Sequence, residues 1–302
     1  MNRRVWIGAD IGGTAVKGAV VDEQGHVRSS RRYATFTGEG GAGLLRQLAL
    51  VVAELLAEAP DVCGIGVGTA GRVDPEAGKI LYATGNLPGW SGVELASELQ
   101  SRFQLPVTAL NDANAAAVGE GWIGAAAGLN NYVMLTLGTG VGGAAVMNSR
   151  LVTGVNGGAG EFGHMILHPG GHLCNCGNLG CLEQYVSGTA LGRIAEACGS
   201  GRDAHALISA AARGDRRAEQ ALGRFTDDLS IALANLQSAF DPEAFILGGG
   251  VSDEFELWGP ELVRKLETAC GRKPDLRAAK LGNAAGMVGA ARMIMNKEAK
   301  VV

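Results

Sequence analysis

No apolar run in these 302 residues is long enough to be read as a membrane span, which sets aside a membrane protein. The 48 glycines show no Gly-X-Y period, so they mark tight turns and close backbone approaches rather than a fibre. Positive charge is in deficit: 26 Lys and Arg face 30 Asp and Glu, for a net charge of −4. That balance leaves no electrostatic footprint for nucleic acid. Met1-Asn2-Arg3-Arg4 leads straight into an apolar strand without a secretory signal, so the expected location is the cytoplasm. Hydrophobic residues make up 47% of the chain, enough for one large domain or two lobes. Cysteine is scarce, six in all, yet three of the six fall in one stretch.

That stretch runs from Gly160 to Gln184 and reads GEFGHMILHPGGHLCNCGNLGCLEQ. It holds Cys174, Cys176 and Cys181 together with His164, His168 and His172. Thiolate and imidazole are the ligands that zinc prefers, four to a closed structural site. Gly177 and Gly180 let the chain turn tightly enough to bring Cys181 back to the ion that Cys174 and Cys176 would hold. One of the histidines supplies the fourth ligand. In a chain of cytosolic character such clustering favours a metal over a disulfide. Glu161 and Glu183 flank the cluster, and two pinned carboxylates are the acceptors that a polyhydroxylated ligand such as a sugar needs.

Glycine loops carry the second signal. Val5 to Ala9 reads as a buried strand ending at Asp10-Ile11-Gly12-Gly13-Thr14, with Lys17 following. Backbone N–H groups at such a turn can approach an anion, Thr14 adds a hydroxyl, and Asp10 can hold Mg²⁺. A Walker loop would instead end in Gly-Lys-Ser/Thr and open a helix. Tyr132 to Leu137 leads to Gly138-Thr139-Gly140-Val141-Gly142-Gly143 and another strand, so strand, Gly/Thr turn and strand occur twice. Two such loops suit the phosphates of one nucleotide. A third glycine run, Gly248-Gly249-Gly250, follows the strand Ala244 to Leu247 and leaves backbone bare for a flat ring such as adenine.

Apolar spacing predicts helices over Ala42 to Glu58, ended by Pro60, and over Val93 to Phe103. The strand Val107 to Leu110 delivers Asn111-Asp112 at the start of an alanine-rich helix. Asp112 has two readings, a helix N-cap or a catalytic carboxylate at a strand's C-terminal end. Beyond the cysteine stretch the chain reads as largely helical.

Taken together, DIGGT with Lys17, LNDANAAA, TLGTGVGG, GEFGH…CNCGNLGCLE and LGGGV resemble the ROK family of bacterial sugar kinases and sugar-responsive repressors, over essentially the whole chain. The resemblance implies an α/β, two-lobed actin/Hsp70/hexokinase-like (RNase H-like) fold with an inter-lobe cleft. It implies a first lobe over residues 1–110, with a C-terminal helix of about 285–302 folding back on it, and a second lobe over 111–284 that carries the zinc motif. His164, Cys174, Cys176 and Cys181 become the zinc ligands and His168 and His172 non-ligands. Asn111, Asp112, Glu161, His164 and Glu183 surround the sugar, with Gly71, Arg72 and Thr84 as the residues that choose among sugars. ATP and Mg²⁺ fall to Asp10, Gly12, Gly13, Thr14 and Lys17, to Gly138, Thr139, Gly140 and Gly142, and to Gly248, Gly249 and Gly250. Ala70 stands where many relatives have proline.

The reading is ATP-dependent phosphorylation of a hexose, glucose first, at its 6-hydroxyl, with Asp112 as general base. N-acetylmannosamine or N-acetylglucosamine is the alternative substrate. A sugar-responsive repressor is the non-enzyme alternative. It would need a DNA-binding segment ahead of the first strand, for which the sequence leaves no room, so neither nucleic acid nor membrane is an expected partner. A homodimer is the family expectation.

Overall fold

The computed structural model describes residues 4–199 and 201–299. Residues 1–3, 200 and 300–302, which fall within the expected lobes and last helix, lie outside the described residues. The chain packs into two compact units. The first comprises residues 1–128, 151–159 and 283–302; the second comprises 129–150 and 160–282.

The first unit opens with β1 (Val5–Ile11), β2 (Ala15–Asp22) and β3 (Val27–Ala34). Then come α1 (Gly40–Glu58), β4 (Val62–Thr69), β5 (Arg72–Val73), β6 (Ile80–Tyr82), α2 (Leu95–Phe103), β7 (Val107–Asn111) and α3 (Asp112–Ile123). Its main sheet has the order β3-β2-β1-β4-β7, with β5 and β6 paired apart from it. β1 runs antiparallel to β2 and parallel to β4, and β4 parallel to β7. The parallel register aligns Ile11 with Thr69 and Thr69 with Asn111, so three strands deliver their C-terminal ends side by side. α1 stops at Glu58, before Pro60. α2 starts at Leu95, two residues later than its apolar spacing suggests, because Val93 is held outside the helix by Ile80 N–H on its carbonyl at 2.9 Å. Among the described helices α1 alone is long and apolar enough to cross a membrane by length and composition, which amends the expectation from sequence. Its apolar face, with Leu44, Leu48, Val52 and Leu55, is buried in the core beside the sheet, as expected of an amphipathic core helix.

The second unit holds β8 (Tyr132–Leu137), β9 (Val141–Met147) and β10 (Arg150–Leu151), where the chain returns to the first unit. From the end of the cysteine stretch it continues with α4 (Glu183–Val186), α5 (Gly188–Ala197), α6 (Ala204–Ala212), α7 (Arg216–Phe240), β11 (Ala244–Gly248), α8 (Phe255–Cys270) and β12 (Leu276–Ala278). Its sheet order is β10-β9-β8-β11-β12. A hairpin on one side of a central strand and parallel neighbours on the other repeat the plan of the first sheet. Trp258 anchors α8: its indole N–H donates to Val251 O at 3.1 Å, and its ring meets Phe225 and Phe255 edge-on at 5.3 and 5.2 Å.

The chain ends in α9 (Ala285–Ala299), part of the first unit. α9 covers the sheet face opposite α1, with Met287, Ala291 and Ile294 against Trp6, Ala19 and Val21. It lies unusually near the strands. A Cβ on Gly8 would stand 1.8 Å from Met287 O, and one on Gly66 1.9 Å from Ala290 O. A Cβ on Gly289 would stand 1.7 Å from Ala115 O, so α3 presses equally closely on α9. The lobe boundary that the resemblance implies at 110 therefore moves to 128, since α3 packs on α9 inside the first unit.

Asp22 closes the β2–β3 turn from a fully buried position. Its carboxylate accepts from the N–H groups of Gln24 at 2.9 Å and His26 at 3.0 Å and from the Arg28 guanidinium. Burial alone pushes the carboxyl up, but these donors outweigh it and hold it below the ordinary carboxylate range.

Two stability outcomes follow. Gly66→Ala must push backbone away from backbone, and a loss of about 1–3 kcal/mol in denaturant unfolding is expected. Gly223→Ala, in α7 with nothing within 4 Å of the added Cβ, should gain about 0.5–1 kcal/mol as the control. The depressed Asp22 carboxyl contributes stability that is fully present above about pH 4, the unfolded range, and is lost as pH falls through its lower folded value. Asp22→Asn should therefore cost about 1–3 kcal/mol at pH 7, and the difference from wild type should shrink below about pH 4.

Candidate functional site

In the first unit the expected residues gather at the C-terminal ends of β1, β4 and β7, the edge where open α/β sheets place ligands. Asp10 sits near the end of β1, with Lys17 Nζ 3.4 Å from its Oδ2. Burial pushes the Asp10 carboxyl above its ordinary value, and the Lys17 ammonium offsets only part of that. Gly13 and Thr14 are exposed at the turn. The turn is braced from behind, by Thr35 Oγ1 on Gly12 O at 2.6 Å and Thr35 N–H on Thr14 O at 3.1 Å.

The residue that caps α3 is Asn111, not Asp112. Asn111 Oδ1 accepts from Ala113 and Asn114 N–H, and Nδ2 donates to Gly71 O at 3.0 Å. This leaves Asp112 as the first helical residue, its Oδ1 oriented by Ala113 N–H at 2.8 Å. Gly71 adopts φ +103°, and a Cβ there would stand 2.3 Å from Tyr82 O, so the loop before β5 admits no side chain. Arg72 lies with its guanidinium 5.2 Å from the Tyr82 ring centroid. Thr84 O accepts from Leu87 N–H at 3.0 Å in the loop beyond β6.

In the second unit His164, Cys174, Cys176 and Cys181 converge, with their ligand atoms all within 4.8 Å of one another. Cys176 and Cys181 sulfurs are 3.5 Å apart, and Cys174 Sγ is 3.6 Å from His164 Nδ1. Metal–sulfur and metal–nitrogen bonds of about 2.0–2.3 Å in a tetrahedron put ligand atoms roughly 3.5–3.8 Å apart. The set therefore fits one tetrahedral ion. Burial, with the adjacent sulfurs, pushes the Cys181 thiol up to about 12. For Cys176 burial acts in the same sense, but the Asn178 N–H and the neighbouring thiols outweigh it and lower the value. A divalent cation would draw all three to thiolate.

The loop is held by its own backbone: Cys174 N–H donates to Asn178 O and Gly180 N–H to His172 O, both at 2.8 Å. Gly180, at φ +82°, lies so near His168 that a Cβ would stand 1.7 Å from that carbonyl oxygen. His168 and His172 stand outside the cluster. His168 Nε2 pairs with Asp228 at 2.7 Å, and both rings pack on Tyr185.

The remaining nitrogen of His164, Nε2, faces Glu161 at 3.8 Å. Glu183 joins two of the expected features. Its Oε1 is 3.8 Å from Cys174 Sγ, and its Oε2 accepts from Val141 N–H at 3.0 Å. A Cβ on Gly140 would stand 2.3 Å from that same oxygen.

A cavity of about 550 Å³ opens where β8 and β11 end. Gly138, Thr139 and Gly250 line it, as the glycine runs suggest. Gly142 instead lies within β9, paired with Thr136, and Gly248 and Gly249 pack against Met134 and Leu137. The sequence reading missed the opposite wall, made by Gly188, Thr189 and Arg193 of α5, Arg202 in the segment before α6, and His205 of α6. The signal present was Ser187 before Gly188: its hydroxyl caps α5 by accepting Ala190 N–H at 3.1 Å, placing a helix N-terminus at the cavity. Such an end attracts phosphate. Gly188 N–H donates to Gly138 O at 2.7 Å and Thr189 Oγ1 to Thr139 O at 2.7 Å, which locks this wall to the glycine turn.

The ROK family profile matches residues 6–297. Among curated relatives, a glucokinase of Halalkalibacterium halodurans is 35% identical, over 99% of this chain and 97% of its own. An N-acetyl-D-glucosamine kinase of Aliivibrio fischeri is 34% identical, over 95% and 98%. Among solved structures, a ROK family glucokinase from Streptomyces griseus in complex with glucose and AMPPNP superposes with TM-score 0.85 at 37% identity, covering 97% of this chain and 99% of that one. The fold is accordingly the actin/hexokinase-like α/β fold of ROK sugar kinases, and the chain belongs to the ROK family.

Proposed function

We propose that the chain is an ATP-dependent hexose kinase that phosphorylates the 6-hydroxyl of glucose. The observation that carries the reading is nearly full-length similarity to glucokinases in a chain with a carboxylate, Asp112, at the head of α3. Asp112 accepts the 6-hydroxyl proton as O6 bonds to the γ-phosphorus, the bond to the β,γ-bridging oxygen breaks, and ADP leaves. The transition state of phosphoryl transfer is loose, so positioning and charge matter more than nucleophile strength. The cavity beside Gly138 holds the nucleotide, with its phosphates toward the N-terminus of α5. In the first unit Gly12, Gly13, Thr14 and Lys17 are the proposed phosphate residues of this reading, and Asp10 is the residue that would hold Mg²⁺. Bound Mg²⁺ neutralises phosphate charge. Gly71, Arg72, Thr84, Asn111, Glu161, His164 and Glu183 are the proposed sugar residues. The same reading takes the enzyme as a cytoplasmic homodimer.

His164, Cys174, Cys176 and Cys181 hold structural zinc in this reading. With Nδ1 on the metal, the His164 tautomer is fixed and Nε2 carries the proton. That makes His164 a donor on the side where Glu161 offers an acceptor. N-acetylglucosamine is the second reading, favoured by the relatives that phosphorylate it.

Three measurements test this. Glucose should exceed N-acetylglucosamine, N-acetylmannosamine and mannose in kcat/KM at one ATP concentration. An acetamido sugar ahead of glucose by more than roughly tenfold transfers the assignment to it. Asp112→Asn should lower kcat by at least about 10²-fold while glucose still binds, and near-normal turnover removes it as base. Elemental analysis should find one zinc per chain. Cys176→Ser should lose the metal and weaken sugar binding together, whereas zinc-free, fully active protein ends the zinc assignment.

A further inference from the structure

The glycine turn that borders the donor cavity has little to shape it from within. Between β8 and β9 it runs Gly138-Thr139-Gly140, with Gly138 N–H on Gly140 O at 3.0 Å. A Cβ on Gly138 would meet nothing within 4 Å, so the space on that side is open. Glycine backbone is the freest of all, and a loop that must order itself on binding spends affinity in doing so.

The order comes from outside the turn. Gly188 N–H holds Gly138 O and the Thr189 hydroxyl holds Thr139 O, both at 2.7 Å. The far leg is held by Glu183, whose Oε2 accepts Val141 N–H at 3.0 Å. The same oxygen occupies the space beside Gly140, where a Cβ would stand 2.3 Å from it. These three grips belong to one segment, 183–189, which starts two residues after Cys181. Gln184 N–H on Cys181 O at 3.0 Å and Ser187 N–H on Glu183 O at 3.3 Å keep that segment wound. On the other side of the carboxylate, Cys174 Sγ stands 3.8 Å from Oε1.

The sugar reading uses Glu183 for its acceptor oxygens, a duty that needs no contact with the glycine turn. Two effects of that contact oppose each other. A negative charge beside a turn that receives phosphates repels them. The bond to Val141 orders the turn in advance and favours them. Glu183 is only half-buried, so solvent and salt screen its charge, while the bond acts at contact and is strengthened by the charge on its acceptor.

We propose that Glu183 is a positioning residue for the donor nucleotide: through Val141 N–H it holds the glycine turn in the shape that takes phosphate, and so sets nucleotide affinity before any sugar binds. The identity of the ligand rests on the kinase reading; the positioning role concerns a contact within the second unit.

Titration calorimetry of ADP with Mg²⁺ in the absence of sugar tests it, with the zinc content of each protein measured alongside. Three substitutions separate the bond from the charge. Glu183→Gln keeps an acceptor at the same reach and removes the charge. Glu183→Asp keeps the charge and shortens the reach by one methylene. Glu183→Ala removes both. ADP affinity in Glu183→Gln should stay within about twofold of wild type, while Glu183→Asp and Glu183→Ala should each weaken it at least about fivefold. Affinity that follows the charge instead, with Glu183→Gln and Glu183→Ala tighter than wild type and Glu183→Asp unchanged, overturns the proposal. So does unchanged affinity in all three, the result that a role confined to the sugar predicts. Should Glu183→Ala lose its zinc, Glu183→Gln and Glu183→Asp decide under the same limits. Wild-type protein that binds no ADP removes the nucleotide reading and the proposal with it, whereas variants that bind as well as a competent wild type remove the positioning role alone.

Discussion

The structure depends on a backbone-to-backbone approach. α9 rests on β1, β4 and α3 through Gly8, Gly66, Gly119 and Gly289, where any Cβ would stand 1.7–2.5 Å from a carbonyl oxygen. At these glycines no side chain intervenes, so the approach there is set by main-chain atoms. Small shifts are therefore resisted by hard contact instead of being absorbed by rotamers. The same sheet edge presents Asp10, Gly71, Asn111 and Asp112. Gly286, at the start of α9, would place a Cβ 3.1 Å from the Asp10 carboxyl carbon. The element that sets the core spacing also backs the buried acid.

The second unit reaches comparable rigidity by other means. Its metal stretch has little regular structure: two isolated bridges, Ile166 with Cys181 and Leu173 with Leu179, and a few turn hydrogen bonds. In the proposed reading a four-ligand ion would supply what the missing ladder does not. Glu183 then links this loop to the glycine turn, with one oxygen near Cys174 and the other on Val141 N–H. Loss of metal would reach the nucleotide-side backbone through that single carboxylate.

Short-range signals were legible in the sequence, and long-range ones were not. The His/Cys cluster could be read because its spacing of a few residues limits where the thiols can go, and the glycine turns because they punctuate apolar strands. β1, β2, β4 and β7 were legible as apolar runs. Which faces carried α1 and which α9 was not, because strands buried on both faces show no alternation. The pair β5 and β6 is too short to show a period. The cap of α3 was ambiguous because Asn and Asp both favour that position; the Ala113 and Asn114 N–H bonds to Asn111 Oδ1, with the tie from Asn111 to Gly71, 40 residues away, separate them. Arg193, Arg202 and His205 carry no mark in the sequence, since α5, α6 and the segment between them meet the glycine turn only through the tertiary fold.

The division of the chain also orders its assembly. β1 is made before α9, with most of the second unit between them, so the strip formed by Gly8 and Gly66 waits uncovered through synthesis of the intervening residues. Residues 160–282 of the second unit meanwhile have their neighbours already made. Domains that form during synthesis generally do so as units, and here the unit begun earlier is the one that closes last. Until α9 is made, the face of β1 and β4 that it covers has no partner within the first unit.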